Sequence, residues 1–102
     1  MNVVWTDPAI QDLKSIREFI AKDSEYYASE FIERVITAVD KLQNFPQLGR
    51  IVPELQTDNI RELIYQAYRV IYRTANNHIE VLAAIHGGRD LAGLKAPSWE
   101  II

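Results

Sequence analysis

IRELIYQAYRVIYRTANNHIEVLAAIHGGRDL, residues 60–91, decides how the chain is read. It divides into three β-prone runs, 60–65, 68–73 and 78–86, separated by short breaks. In the second run Tyr68, Val70 and Tyr72 alternate with Arg69, Ile71 and Arg73, so the two sets take opposite faces of a sheet. In the third the odd positions Ile79, Val81, Ala83 and Ile85 are all apolar and form the face expected to be buried. The even positions mix His78, Glu80, Leu82, Ala84 and His86. Asn76-Asn77 reads as a two-residue hairpin turn, because asparagine tolerates positive φ. Gln66-Ala67 must also turn the chain, although it offers neither Gly nor Asn.

Upstream of these runs the periodicity changes. Asn2 to Trp5 is a short β-prone run, followed by Thr6-Asp7-Pro8, in which Asp7 is a good helix N-cap and Pro8 suits the first turn. Ala9, Ile10, Leu13, Ile16, Phe19 and Ile20 then recur at helical spacing. Lys22-Asp23-Ser24 interrupts, with Asp23 or Ser24 placed to cap a second helix carrying Tyr27, Ala28, Phe31, Ile32, Val35, Val39 and Leu42 on one stripe. The break is short, which favours an antiparallel helical hairpin, and its aromatic and aliphatic side chains read as core. Asn44-Phe45-Pro46 ends the second helix. Ile51 to Leu55 reads as a strand that Pro53 confines to an edge or bulge. The sum is a single α+β domain over residues 1–102 in two layers: an N-terminal strand, an antiparallel helical hairpin, and a three- to four-stranded antiparallel meander. The first strand is expected beside the last.

Composition narrows the function classes. No apolar run approaches the ~20 residues that span a bilayer, and the N-terminus lacks a signal-peptide pattern, so a cytoplasmic location and no membrane partner are expected. The chain has no cysteine, and His78 with His86 makes a poor ligand set, so neither a metal nor a small-molecule cofactor is expected. Net charge is −3, which argues against non-specific nucleic-acid binding. The charge is uneven, however. Residues 1–49 carry eight acids and five bases, whereas residues 50–89 carry five bases, all arginine, and four acids. Arginine suits planar, two-pronged contacts with phosphate or carboxylate. Arg61, Arg69, Arg73 and Arg89 are therefore candidate partner-binding residues on the uncovered face or rim of the sheet. The bland alternatives are an ion pair between Arg61 and Glu62 or Asp58, and a solvated sheet face for Arg69 and Arg73. Trp99, Ile101 and Ile102 at the C-terminal end should pack either on the domain's own core or on a partner.

The helix pair with Asp12-Leu13 and Ile16 to Ile20, then Phe45-Pro46-x-x-Gly49-Arg50, Ile60-Arg61-Glu62-Leu63, Tyr68-Arg69-Val70-Ile71-Tyr72 and Ile85-His86-Gly87-Gly88-Arg89-Asp90, together resemble the RelE/ParE superfamily of type II toxin–antitoxin toxins. The resemblance covers nearly the whole chain and implies a RelE-like fold and a cognate antitoxin as partner. It implies one of two targets, or a non-toxic member that only binds antitoxin. RelE-like members cut mRNA in the ribosome, whereas ParE-like members poison DNA gyrase by binding. In the cutting branch Arg69 and Arg89 match phosphate-contacting positions, and Glu54 with His86 offers a loose acid–base pair. That branch usually also carries lysines near the second and third strands and a tyrosine after the last. Here no lysine lies between Lys41 and Lys95 and no tyrosine follows Tyr72. These absences, with the Gly-Gly-Arg-Asp ending, look more like the ParE branch. The C-terminal segment, with Trp99, Ile101 and Ile102, is then a candidate gyrase-facing surface, and the outer face of the helical hairpin a candidate antitoxin surface.

Overall fold

The structure is a computed structural model and describes residues 1–87. The elements are β1 (Asn2–Trp5), α1 (Asp7–Ala21), α2 (Glu25–Asp40), a 3-10 turn (Lys41–Gln43), β2 (Arg50–Ile51), β3 (Ile60–Tyr65), β4 (Tyr68–Thr74) and β5 (His78–His86). They form one five-stranded sheet in the order β1-β5-β4-β3-β2. The expected meander is present as β2 to β5, all antiparallel. β1 does lie beside the last strand, but parallel to it, which makes the sheet mixed. The parallel pairing follows from the crossover, since the whole α1–α2 hairpin separates β1 from the rest.

Each helix begins on a hydroxyl. Ser24 caps α2 by accepting the Tyr27 N–H at 3.0 Å. Thr6, rather than Asp7, caps α1, with its Oγ1 accepting the Ala9 N–H at 3.4 Å. The reason lies in the sheet. The Thr6 amide donates to the Val81 carbonyl at 3.1 Å and its hydroxyl donates to the same carbonyl at 2.7 Å, so β1 is stitched to β5 at the residue where α1 starts. Asp7 falls inside the first turn, where its charge still favours the helix N-terminus.

The helices cover one face of the sheet. Ala9, Ile16, Phe31, Val35, Val39 and Leu42 pack on Val70, Tyr72, Ile79, Val81 and Ala84. The odd-residue rule for β5 holds only for its first half. Tyr72 is opposite Val81 and Ile71 is opposite Ala83, so Leu82 is one residue extra. A bulge of this kind reverses the alternation beyond it. Ile79 and Val81 meet the helices, whereas Leu82, Ala83 and Ile85 turn to the far face and Ala84 takes their place. The Ala84 amide donates to Asp12 of α1 at 3.0 Å, so the helix grips the strand just past the irregularity.

Two turns depart from expectation. The positive φ falls on Gln66 (52°), not on Asn76 or Asn77. This costs a non-glycine residue about 1–2 kcal/mol; the six paired positions of β3 and β4 and a bond from the Tyr27 hydroxyl to Gln66 Oε1 hold it. The β4–β5 connection is closed instead by the Ala75 amide donating to the His78 carbonyl at 2.9 Å. The strand expected over Ile51 to Leu55 is only Arg50–Ile51, at the sheet edge, and Val52 and Leu55 go on to cover the far face over Ile60, Ile71, Leu82 and Ala83.

The loop after α2 is held from beneath by one phenol. Tyr72 is fully buried; its hydroxyl donates to the Pro46 carbonyl at 2.8 Å and accepts the Gly49 amide at 2.9 Å. A Cβ on Gly49 would sit 2.5 Å from the Glu62 carbonyl oxygen and 2.8 Å from the Tyr72 hydroxyl, so glycine is required by space alone. Burial raises the pKa of the Tyr72 phenol, against smaller opposing effects from the Gly49 amide and the Arg61 charge. A phenol whose folded pKa is raised stabilises the fold fully below its unfolded pKa of about 10 and loses that contribution as pH rises. Replacing Tyr72 with Phe is expected to cost about 1–3 kcal/mol in urea unfolding at neutral pH, because two buried polar groups lose their partner. The same variant should lose less stability than the parent between neutral and strongly alkaline pH.

Candidate functional site

Alternation places Arg69 and Arg73 together on the face away from the helices, as their spacing requires, and places Arg61 on the other face. The expected open arginine cradle does not form among the described residues. Arg69 is only 5% exposed. Its Nε donates to Glu62 Oε1 at 2.6 Å, and its Nη1 and Nη2 donate to the two oxygens of Glu54 at 2.7 Å each. Glu62 is 1% exposed and accepts a second bond, 2.6 Å, from Arg50 Nε across the β2–β3 ladder. The result is a chain of alternating charge, Arg50–Glu62–Arg69–Glu54, buried at Glu62 and Arg69 and open to solvent at Arg50. The fork with Glu54 pushes the pKa of Arg69 further up; burial opposes this and Glu62 adds to it.

Physical reasons for the correction are clear in the register. Ile64 is the cross-strand neighbour of Arg69 and Ile71 that of Glu62, which makes Arg69 and Glu62 a diagonal pair on one face. The segment carrying Val52 and Leu55 then closes over that face and delivers Glu54 to the guanidinium fork. Glu54, expected as half of a loose acid–base pair with His86, has a largely buried side chain, and both of its oxygens are engaged by Arg69.

Arg73 is half-buried and donates from Nε to Glu80 Oε1 at 2.9 Å, a cross-strand pair between β4 and β5. That bond holds the Glu80 carboxyl below the usual carboxylate range, with His78 adding a weaker contribution at 3.5 Å. Arg61 pairs with neither Glu62 nor Asp58. Its Nη1 donates to the Gly49 carbonyl at 3.0 Å and so braces the loop that Tyr72 holds. Arg89, Trp99, Ile101 and Ile102 lie outside the described residues, as does Gly88.

His86 ends β5, its ring edge-on to Tyr68 with centroids 5.8 Å apart. It lines a cleft of about 440 Å³ at the β3–β4 hairpin end of the sheet, together with Arg50, Glu54, Tyr68 and Arg69. The candidate acid–base pair of Glu54 and His86 therefore does share one cleft, with the Arg69 guanidinium holding the glutamate.

Two other concave surfaces bring together no catalytic constellation among the described residues. An almost wholly apolar groove of about 360 Å³ runs between β1 and the helices, lined by Trp5, Ile10, Leu13, Ile32 and Ile36 and flanked by Lys14 and Arg17. A cleft of about 660 Å³ lies beside the Phe45–Leu48 loop. Sequence reading missed both, because each is assembled from elements distant in the chain and its apolar residues were indistinguishable from core.

Residues 3–91 match the family model described as the ParE toxin of the type II toxin–antitoxin system, parDE. Toxin RelE2 of Caulobacter vibrioides is 34% identical over 89 residues, which cover 86% of this chain and 97% of that protein. Among solved structures, a chain of a chromosomal ParDE toxin–antitoxin system from P. aeruginosa superimposes with a TM-score of 0.70 over 84% of this chain and 95% of that one, at 20% identity.

Replacing Arg69 with Met is expected to destabilise the protein by about 3–5 kcal/mol in denaturant unfolding, because it removes the guanidinium that the buried Glu62 and largely buried Glu54 carboxylates share. Adding Glu62→Gln to that variant should recover part of the loss. A cost below about 1 kcal/mol for Arg69→Met would show that the ionic chain does not hold the far face together.

Proposed function

We propose a function from one premise: the chain belongs to the ParE toxin family of type II toxin–antitoxin systems, and is the toxin component of such a module. Membership implies an antitoxin partner. The finer reading is ours. The protein stops growth by binding DNA gyrase, without nucleolytic chemistry of its own, and a cognate antitoxin holds it inactive.

One observation supports binding over cutting. Cleavage of RNA through the 2′-hydroxyl needs a presented proton acceptor and positive charge aimed at the phosphate. Here the Arg69 fork and both Glu54 oxygens are directed at each other (2.7 Å) rather than at a substrate. The lysines and late tyrosine of the cutting branch are missing from the corresponding stretches. The antitoxin, on this reading, lays an amphipathic helix in the groove of Trp5, Ile10, Leu13, Ile32 and Ile36. Lys14 and Arg17 at its rim favour an acidic polar face on that helix.

A second reading keeps one observation in its favour: Glu54, Arg69 and His86 line the same cleft, the set a ribosome-dependent endoribonuclease would use. The two readings part in one assay. Purified protein is expected to inhibit supercoiling by gyrase and to trap cleaved DNA on the enzyme, while messages in induced cells stay intact. Codon-phased cuts in translated mRNA, with gyrase unaffected at micromolar protein, would reverse the assignment. The product of the adjacent reading frame should restore growth, and Ile36→Asp should weaken its binding to the toxin by about 10-fold or more, the cost of a charge in an apolar contact.

A further inference from the structure

The apolar groove beside the helices has rims of opposite charge. Its floor is fixed by the core, since Trp5, Leu13 and Ile32 pack on the buried cluster of the helical layer. One end is bridged: Arg17 Nη2 donates to Glu25 Oε2 at 3.2 Å and to Ser29 Oγ at 3.0 Å, from α1 to α2. The bridge also sets the level of the two helices of the hairpin. One turn back along α1 from Arg17, and one turn on along α2 from Ser29, bring Leu13-Lys14 level with Ile32-Glu33. The two pairs are equivalent. In each, a floor residue is followed by a charged one on the outer rim, with Lys14 one turn from Ile10 and Glu33 one turn from Ile36. Lys14 and Glu33 are exposed, and neither makes an ion pair with another described residue. An ammonium and a carboxylate thus stand on either side of an apolar floor without meeting.

We propose that this groove reads the direction of the antitoxin helix: it admits a helix with a carboxylate on the flank against Lys14 and a basic side chain on the flank against Glu33. This rests on the reading of the groove as the antitoxin's seat, and adds which way the helix runs. An amphipathic helix laid apolar face down presents one polar flank to each rim, and reversing its direction exchanges the flanks. Between rims of one sign the two directions would be equal in charge. Between rims of opposite sign the reversed helix brings like charges together on both sides, which is the element that rejects a wrong pose or a wrong partner. Arg17 does not make this choice, because Glu25 and Ser29 already share its Nη2. Glu18 follows on α1 only beyond that bridge, whereas Asp40 extends the acidic rim one turn past Ile36. From Ile10 to Arg17 the groove is about 10 Å long, two turns of helix, so one charge on each flank is what it can inspect.

The test reverses the rims without changing net charge. Parent and the Lys14→Glu, Glu33→Lys double variant are each titrated with the purified product of the adjacent reading frame, at about 50 mM and about 500 mM salt. Because both side chains are exposed and unpaired, the thermal midpoint should stay within about 2 °C of the parent. Affinity should fall by about 10-fold or more in low salt, as two attractions become two repulsions. In high salt, where screening reaches within ~5 Å, the difference should shrink to about 3-fold or less. The neutral pair Lys14→Gln, Glu33→Gln should lie between parent and reversed variant. A loss that persists in high salt would overturn the proposal, by assigning the effect to packing. So would parent-like affinity of the reversed variant in low salt; if Ile36→Asp still weakens binding, the groove remains the docking site. Parent-like affinity of both the reversed variant and Ile36→Asp would remove the groove reading as well, and a parent that does not bind the adjacent product would remove both together.

Discussion

Glu62 is a carboxylate sealed from water in the middle of a sheet, and the far side of the molecule is arranged around that constraint. A lone buried carboxylate is costly, so its partners cannot be optional. Arg69 reaches it diagonally from β4 and Arg50 reaches it across the β2 edge. Arg69 then brings a second charge into the interior, and Glu54 arrives from the segment after β2 to meet it. The short edge strand and the covering segment therefore exist as much to complete an ionic chain as to bury Val52 and Leu55. That accounts for how a two-residue strand beside Pro53 stays in place.

The other face depends on a different device. Leu82, the extra residue of β5, lets one strand supply apolar side chains to both sides of the sheet. Thr6 and Asp12, at the start and on the body of α1, take up the Val81 carbonyl and the Ala84 amide on either side of it. The helical hairpin is thus registered on the sheet by polar bonds at the bulge and held there by apolar packing around Phe31, whose ring meets Tyr65 and Tyr68 edge-on at 5.3 and 5.5 Å. The same logic leaves the Phe45–Leu48 loop fixed but its side chains uncovered.

The fold was largely legible in the sequence because it is written in periodicity. The helical stripes of Ile16 and Phe31, the cap at Ser24 and the alternation of Tyr68 to Arg73 each state a local preference that the packing obeys. What escaped was set by tertiary geometry. The bulge at Leu82 has no local signature, and it reversed the face of Ala83 and Ile85. The positive φ at Gln66 is imposed by the strands on either side, whereas Asn76-Asn77, the better turn pair, is not used that way. At the candidate site alternation correctly put Arg69 and Arg73 on one face, but could not show that Glu54 and Glu62 would meet the first and Glu80 the second. Alternation gives direction and says nothing of cover.

The guanidinium of Arg69 is committed to the protein's own carboxylates and is not offered to phosphate. Nitrogen-15 NMR of the arginine Nε–H groups during titration with inorganic phosphate tests it most directly. The Arg69 Nε–H is expected to exchange slowly with water, through its bond to Glu62, and to keep its shift as phosphate is added. Rapid exchange, or a saturable phosphate-dependent shift at Arg69, would contradict the claim and return this residue to nucleic-acid chemistry.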